Sequence, residues 1–135
     1  MGGQLSEELG TWAASWRHRH LLGLESLSAA DITTLLDAAE ALSGRFKSQG
    51  QKLDLLSGKT IANLFFENST RTRNSFSLAS KRLGADTIEF ASSGSSVSKG
   101  ETFIDTAKTI EAMGADAVVV RHATPGTASL LSEHL

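Results

Sequence analysis

Apolar residues recur along the chain at two spacings, one typical of amphipathic helices and one typical of buried strands. An amphipathic segment covers residues 5–16, and a helical stripe of apolar residues follows Ser28 and Asp31. Ser28-x-x-Asp31 has the spacing of a capping box, which predicts that the second helix begins there. We predict that this helix ends at Gly44, and that the polar residues 45–58 form a connection.

From residue 60 onward, short apolar runs alternate with amphipathic segments. The runs cover residues 60–66, 87–91 and 117–121. The intervening helical segments end near Leu83 and Met113, each followed by Gly-Ala-Asp, and glycine suits the left-handed turn that closes many helices. Such strand–helix–strand repeats predict a parallel sheet with right-handed crossovers. The expected fold is therefore α/β, with three layers in the order helices, sheet, helices.

Ligands of parallel α/β sheets bind at the carboxyl ends of the strands. This rule points to three segments, residues 67–73, 92–101 and 121–126. In the first segment, Ser69 is predicted to cap a helix whose free N–H groups and positive dipole end attract anions. The neighbouring hydroxyls add hydrogen-bond donors. An anion-binding site is therefore expected after the first strand.

Two arginines, Arg71 and Arg73, lie in the predicted first turn of that helix. They are two residues apart and hence about 200° apart around the helix axis, so they point in different directions. We expect Arg71 to offer its guanidinium fork to a phosphate or carboxylate. An ordinary polar helix cap with solvated arginines is the alternative for this segment.

The other two strand ends carry single basic candidates. Lys99 lies in a Ser/Gly-rich segment in which Ser98-x-x-Glu101 has capping-box spacing, and Arg121 ends the third apolar run. From composition alone, a mobile surface loop is the favoured interpretation of the segment around Lys99, and a solvated pair is the favoured interpretation of Arg121 and His122. Lys99 and Arg121 become candidate site residues because the predicted parallel sheet brings the carboxyl ends of the second and third strands close to that of the first.

Composition restricts the range of functions. A chain of 135 residues suits one domain, and a formal charge of −2 gives no general attraction to nucleic acid or to anionic membranes. Neither cysteine nor metal-ligand spacing is present, so we expect no metal and no cofactor. There is no long apolar run, and the default location is cytoplasmic. Ser57-Gly58-Lys59-Thr60 matches the end of a P-loop, but Leu53 stands where the first glycine is required. We therefore expect no ATP site at this segment.

The string F-x-E-x-S-T-R-T-R-x-S-F, at residues 65–76, resembles the carbamoyl phosphate signature of the aspartate and ornithine transcarbamoylase superfamily. Three further strings resemble the aspartate branch. Residues 95–102 resemble its S-x-x-x-K-G-E-T loop, whose lysine the ornithine branch usually lacks. Residues 120–122 resemble its arginine-histidine strand end, and residues 20–28 resemble its leader.

This resemblance implies a role for each matching residue in a carbamoyl phosphate site. The phosphate would be held by the cluster of Ser69, Thr70, Arg71 and Thr72. The carbonyl oxygen would be reached by Thr72 and Arg121. The catalytic set implied by the resemblance is Arg71, Thr72, Lys99 and Arg121.

Other matching residues imply contacts between domains and between subunits. In the family, a serine and a lysine of the second loop enter the active site of a neighbouring subunit in a trimer. Lys99 matches that lysine, Ser95 is the best match for the serine, and Ser96 is the competing assignment. Glu67 matches an acid that joins two domains through arginines of the second domain, and Arg73 is expected to brace the phosphate site.

The implied reaction transfers the carbamoyl group of carbamoyl phosphate to L-aspartate, giving N-carbamoyl-L-aspartate and phosphate for pyrimidine biosynthesis. The implied assembly is a homotrimer, with regulatory or dihydroorotase chains as further partners. The family members contain two domains, so residues 1–135 are expected to be the carbamoyl phosphate domain of the transcarbamoylase fold, truncated at its C-terminal end and inactive alone. The alternatives are an ornithine carbamoyltransferase and a non-catalytic, shortened subunit.

Overall fold

The computed structural model describes residues 2–50, 52–91 and 102–135. These residues form two compact units, one within residues 1–51 and the other within residues 52–135. The helices and strands, in chain order, are α1 (Gly2–Ser15), α2 (Ala29–Gln49), β1 (Thr60–Phe65), α3 (Thr70–Arg82), β2 (Asp86–Ala91), α4 (Phe103–Ala112), β3 (Ala117–Arg121) and α5 (Thr127–Ser132).

The first unit contains α1 and α2, and the predicted capping box of α2 is confirmed. The Ser28 hydroxyl accepts a hydrogen bond from the backbone N–H of Asp31 at 3.1 Å, and the Asp31 carboxylate accepts one from the Ser28 N–H at 3.0 Å. His18 Nε2 lies 2.9 Å from the same carboxylate. The hydrogen bond with His18 and that from the Ser28 N–H lower the pKa of Asp31 below its ordinary value.

The predicted end of α2 at Gly44 is wrong, because the helix continues to residue 49. Gly44 is a helix-interior residue, and Gly50 ends the helix in the left-handed conformation with φ 58°. A glycine inside a helix costs only about 1 kcal/mol relative to alanine, which a long helix tolerates. The predicted connection over residues 45–58 is therefore partly helical.

The second unit is built on a three-stranded parallel sheet in the order β2-β1-β3. The central strand contributes Ala62 and Leu64, both fully buried, and Ile110 of α4 packs against them. Helix α3 contacts β1 and β2, and helices cover both faces of the sheet. The predicted α/β class and the three-layer arrangement are confirmed.

The strand and helix ends of this unit closely match the predicted ones. Strand β3 has the predicted bounds, whereas β1 ends one residue earlier and β2 begins one residue earlier than predicted. Gly84 and Gly114 follow α3 and α4 with φ of 89° and 90°, as the Gly-Ala-Asp repeats predict. At Gly84 an added Cβ would lie 2.8 Å from the carbonyl oxygen of Leu53, so this position requires glycine for space as well as for its backbone angle.

The N-terminus of α4 differs from the predicted one. The helix begins at Phe103, and its N-cap is Thr102, whose hydroxyl accepts a hydrogen bond from the Asp105 N–H at 3.1 Å. Ser98 and Glu101, the predicted capping pair, lie outside the described residues. Threonine is a common N-cap residue.

The segment that resembles the end of a P-loop has a structural role at the amino ends of the strands. The Asp116 carboxylate accepts a hydrogen bond from the Thr60 N–H at 2.9 Å and lies 3.4 Å from Lys59 Nζ. The Thr60 N–H and the Lys59 charge lower the pKa of Asp116 below its ordinary value. These contacts join the start of β1 to the residue that precedes β3.

Asn63, in the middle of β1, is a polar residue buried within a run that the sequence predicts to be apolar. It is fully buried on the face opposite Leu64, and its Nδ2 donates to Glu89 Oε1 of β2 at 3.0 Å. The register places these two residues side by side. Asn63 and Glu89 therefore form a polar cross-strand pair on the same face of the sheet as Arg121.

Candidate functional site

The register of the sheet aligns the carboxyl ends of its strands. Phe65, the last residue of β1, is paired with Ala91 on one side and with Arg121 on the other. The residues that follow β1 therefore lie beside the end of β3. This geometry confirms that the first and third predicted segments meet at one edge of the sheet.

Arg121 is the centre of a polar cluster at this edge. Its Nε donates to the carboxylate of Glu67 in the loop after β1. Its Nη1 donates to the hydroxyl of Ser69 at 3.0 Å and lies 3.4 Å from that of Thr72, in the first turn of α3. Four of the predicted site residues, from three different elements, are thus brought together.

Ser69 occupies the predicted N-cap position of α3, but its side chain does not cap the helix. The hydroxyl instead accepts the hydrogen bond from Arg121, while the Ser69 carbonyl accepts from the Arg73 N–H at 3.0 Å. The predicted side-chain cap is therefore wrong. Because the Ser69 hydroxyl does not cap the helix, it leaves the first N–H groups of α3 available to a ligand.

A polar cavity of about 150 Å³ opens at the N-terminus of α3. It is lined by Phe65, Glu67, Asn68, Ser69, Thr70, Arg73 and Ala91. The helix dipole and the Arg73 guanidinium make its walls favourable to an anion, and Glu67 is the acidic group among them. The cavity lies where the sequence predicts an anion site, and the binding of an anion there stays a prediction.

The two arginines of α3 occupy different environments. Arg73 is half-buried and lines the cavity, whereas Arg71 is exposed and lies outside the lining set. Neither forms an ion pair with another residue in the part of the chain that the structure describes. Arg71 as the ligand-binding arginine stays a prediction, and Arg73, expected only to brace the site, lies in the cavity wall.

Glu67 has a partner within this chain that the sequence did not predict. The resemblance implies arginines of a second domain, whereas the structure pairs Glu67 with Arg121. Asn68 was also missed as a cavity residue, although its place between Glu67 and Ser69 could have indicated it. Ser95, Ser96 and Lys99 lie outside the described residues, and their roles in a neighbouring active site stay predictions.

Two negative findings apply to residues 2–50, 52–91 and 102–135. No helix among them is both long enough and apolar enough to cross a membrane. Nor do these residues include a group of three or more histidines and acids placed to hold a metal ion.

The donors at this edge suit an oxygen-rich anion. Backbone N–H groups at a helix start bind phosphate oxygens, and a guanidinium beside hydroxyls stabilises negative charge on a carbonyl oxygen. The Arg121 and Glu67 side chains are 46% and 35% exposed, so a ligand from solvent has access to both. The arrangement can bind a phosphorylated carbonyl compound and polarise its carbonyl group.

Comparisons with known proteins give a consistent result. Residues 19–134 match the model of the family described as aspartate/ornithine carbamoyltransferase, carbamoyl-P binding domain. The chain is 63% identical over 135 residues to an aspartate carbamoyltransferase catalytic subunit of Rhodopirellula baltica, covering all of this chain and 39% of that protein. It is 56% identical over 115 residues to that of Rhodospirillum centenum, covering 85% of this chain and 36% of that protein.

Solved structures of aspartate transcarbamoylases have a fold similar to that of this chain. An aspartate transcarbamoylase from Trypanosoma cruzi, in complex with carbamoyl phosphate and aspartate, is 35% identical and superposes with a TM-score of 0.79, covering 89% of this chain and 37% of that one. The catalytic subunit from M. Jannaschii is 40% identical, with a TM-score of 0.78 and coverages of 87% and 38%.

The chain thus spans less than two fifths of the length of each of these relatives. Within that span the sequence match and the fold agree with one another. The chain belongs to the aspartate/ornithine carbamoyltransferase family, and the match covers the carbamoyl phosphate-binding domain of that family.

Proposed function

We propose that this protein acts in the transfer of a carbamoyl group from carbamoyl phosphate to L-aspartate, and that the residues described above bind the carbamoyl phosphate. The observation that carries the proposal is the convergence of Glu67, Ser69, Thr72 and Arg121 at the carboxyl edge of the sheet, beside the N-terminus of α3. The resulting donors suit both a dianionic phosphate and a polarised carbonyl oxygen.

Within this proposal, the phosphate is bound at the start of α3. The hydroxyls of Ser69, Thr70 and Thr72 donate to its oxygens together with the free N–H groups of the helix, and Arg71 supplies a guanidinium. Support comes from the cavity at this helix end, which Ser69 and Thr70 line. Arg71 is exposed, so its guanidinium is accessible to a ligand.

Arg121 and Thr72 act on the carbonyl oxygen. The aspartate amine attacks the carbamoyl carbon, forming a C–N bond, and the carbonyl oxygen gains negative charge in a tetrahedral intermediate. The C–O bond to phosphate then breaks, and the proton lost by the amine goes to the departing phosphate or to solvent. Donors already in place at the oxygen stabilise the charge, and removal of one typically costs about 3 to 4 kcal/mol of barrier.

The choice of L-aspartate as acceptor is supported by the sequence strings at residues 95–102 and 120–122, and by the names of the similar proteins. We further propose that the protein forms a homotrimer in which Lys99 and Ser95, or Ser96 in place of Ser95, reach the neighbouring active site. Regulatory or dihydroorotase chains as additional partners, and a cytoplasmic location, belong to the same proposal.

The test uses the protein in the length in which its own cells produce it. Incubation with carbamoyl phosphate and either L-aspartate or L-ornithine, followed by mass spectrometry, should give N-carbamoyl-aspartate and no citrulline. Citrulline would assign the protein to the ornithine branch. Carbamoyl phosphate binding without either product would indicate a non-catalytic subunit, and the absence of binding would overturn the proposal.

A further inference from the structure

His122 directly follows Arg121, and its ring is held among aromatic side chains. Its centroid lies 5.1 Å from that of Phe66 and 5.5 Å from that of Phe103, and the two phenylalanine rings lie 5.1 Å apart. The three rings, contributed by the residues after β1 and β3 and by the start of α4, therefore form a closed triangle. Aromatic pairs at these separations attract one another beyond simple burial.

Two backbone contacts fix the chain on either side of this ring. The Phe66 N–H donates to the Arg121 carbonyl oxygen at 2.9 Å, which extends the ladder between β1 and β3 by one residue. The Thr124 N–H donates to Nδ1 of His122 at 3.0 Å, so the imidazole also closes the turn that follows β3. The ring thus accepts a hydrogen bond from the turn, and it packs against Phe66, whose backbone is bonded to the end of β3.

Successive side chains of a strand point to opposite faces of the sheet. Val120 packs in the core cluster with Leu64, and the ring of His122 contacts Phe66 on that same face. Arg121, between them, is directed to the other face, where it contacts Glu67. A rotation of the strand end that moved His122 out of its triangle would therefore also turn Arg121 away from Glu67.

We propose that His122 is a positioning residue, whose ring holds the end of β3 in the rotation that places Arg121 on Glu67, Ser69 and Thr72. Its consequence for ligand binding rests on the proposed function, in which Arg121 contacts carbamoyl phosphate. The imidazole itself takes no part in the chemistry. The His122 ring acts only by setting the direction in which the Arg121 side chain points.

Three variants separate positioning from ordinary packing. His122→Ala removes the ring, and His122→Phe keeps an aromatic ring in the triangle. Val120→Ala, the matched control, removes core packing from the same face two residues earlier. If His122→Ala fails to fold, His122→Asn replaces it, because its side-chain oxygen still accepts from the Thr124 N–H while the ring is absent.

The first measurement is the nuclear magnetic resonance signal of the Arg121 Nε–H, assigned by its loss in Arg121→Lys. In the unsubstituted protein this proton is donated to Glu67 and should exchange slowly with solvent. Exchange should become fast in His122→Ala and remain slow in His122→Phe and Val120→Ala. This measurement needs no ligand, so it tests the positioning role even if the protein does not bind carbamoyl phosphate.

The second measurement is the carbamoyl phosphate affinity by calorimetry. His122→Ala should lose about tenfold in affinity, the lower end of the contribution of one hydrogen bond to a charged group, and His122→Phe should restore most of it. Val120→Ala should lower the melting temperature and leave the affinity within about twofold. Unchanged exchange and affinity in His122→Ala would overturn the proposal, as would equal losses in Val120→Ala. Absent binding in the unsubstituted protein would instead overturn the proposed function.

Discussion

Arg121 and Glu67 lie 54 positions apart in the chain and form an ion pair that joins the end of β3 to the loop after β1. The same guanidinium donates to Ser69 and approaches Thr72, so the acid and the two hydroxyls share one cation. Glu67 therefore neutralises part of the positive charge of the anion site, and it also holds the guanidinium in place.

Replacing Glu67 with glutamine should tighten the binding of inorganic phosphate. The glutamine oxygen still accepts from Arg121, but the negative charge beside the ligand is gone. Because both side chains are partly exposed, the gain should be only about two- to fivefold at low salt, and it should shrink as salt is added. Calorimetry at two salt concentrations measures it. Glu111→Gln, the same change at the far end of α4, should have little effect, and weaker phosphate binding in Glu67→Gln would contradict the prediction.

Arg121→Lys should weaken carbamoyl phosphate binding although the charge is kept. The arginine fork contacts Glu67, Ser69 and Thr72 through two different nitrogens, and an ammonium group cannot reproduce that geometry. The expected loss is about tenfold in affinity. Calorimetry with Arg19→Lys as the matched control measures it. Equal affinities for the two variants would show that only the charge of Arg121 matters.

Removal of the Asp116 carboxylate should make stability less dependent on pH in the acid range. Hydrogen bonding to the Thr60 N–H and the Lys59 charge lower the pKa of Asp116 below its ordinary value in the folded protein. The carboxylate therefore contributes stability above its unfolded pKa, and this contribution is lost as pH falls through the lower folded pKa.

Urea unfolding of the unsubstituted protein and of Asp116→Ala, measured at several pH values, tests this expectation. The difference in unfolding free energy should be full at neutral pH and should decrease below about pH 4. Lys59→Met removes the ion pair but keeps the stronger backbone contact, so it should destabilise less than Asp116→Ala. A difference that grows as pH falls would contradict the assigned role.

Two glycines of the first unit should respond in opposite ways to alanine. Gly44 is inside α2, with open space around its Cβ position, so Gly44→Ala should stabilise the protein by about 1 kcal/mol through helix propensity. Gly50 ends the helix at φ 58°, so Gly50→Ala should destabilise it by about 1 kcal/mol. Thermal and urea unfolding measure both. If Gly44→Ala instead destabilised the protein, the result would indicate that α2 ends at residue 44 and not at residue 49.

Much of the fold followed from the sequence because its signals are local. The capping box at Ser28 and Asp31, the apolar runs and the glycines at 84 and 114 each specify backbone geometry within a few residues. The end of α2 was missed because a single glycine is a weak helix breaker, and Gly44 and Gly50 carry the same signal. The neighbouring helical residues decide between them.

The amino-acid sequence by itself determined the class of fold, the edge of the sheet that carries the site and the residue types that gather there. Only the tertiary structure decided which of these side chains form hydrogen bonds and ion pairs with one another. The Ser69 hydroxyl accepts from Arg121 rather than capping its own helix, and Glu67 pairs with that same arginine. Such choices depend on the register between β1 and β3, since it is the sheet that brings residues some fifty positions apart into hydrogen-bond distance.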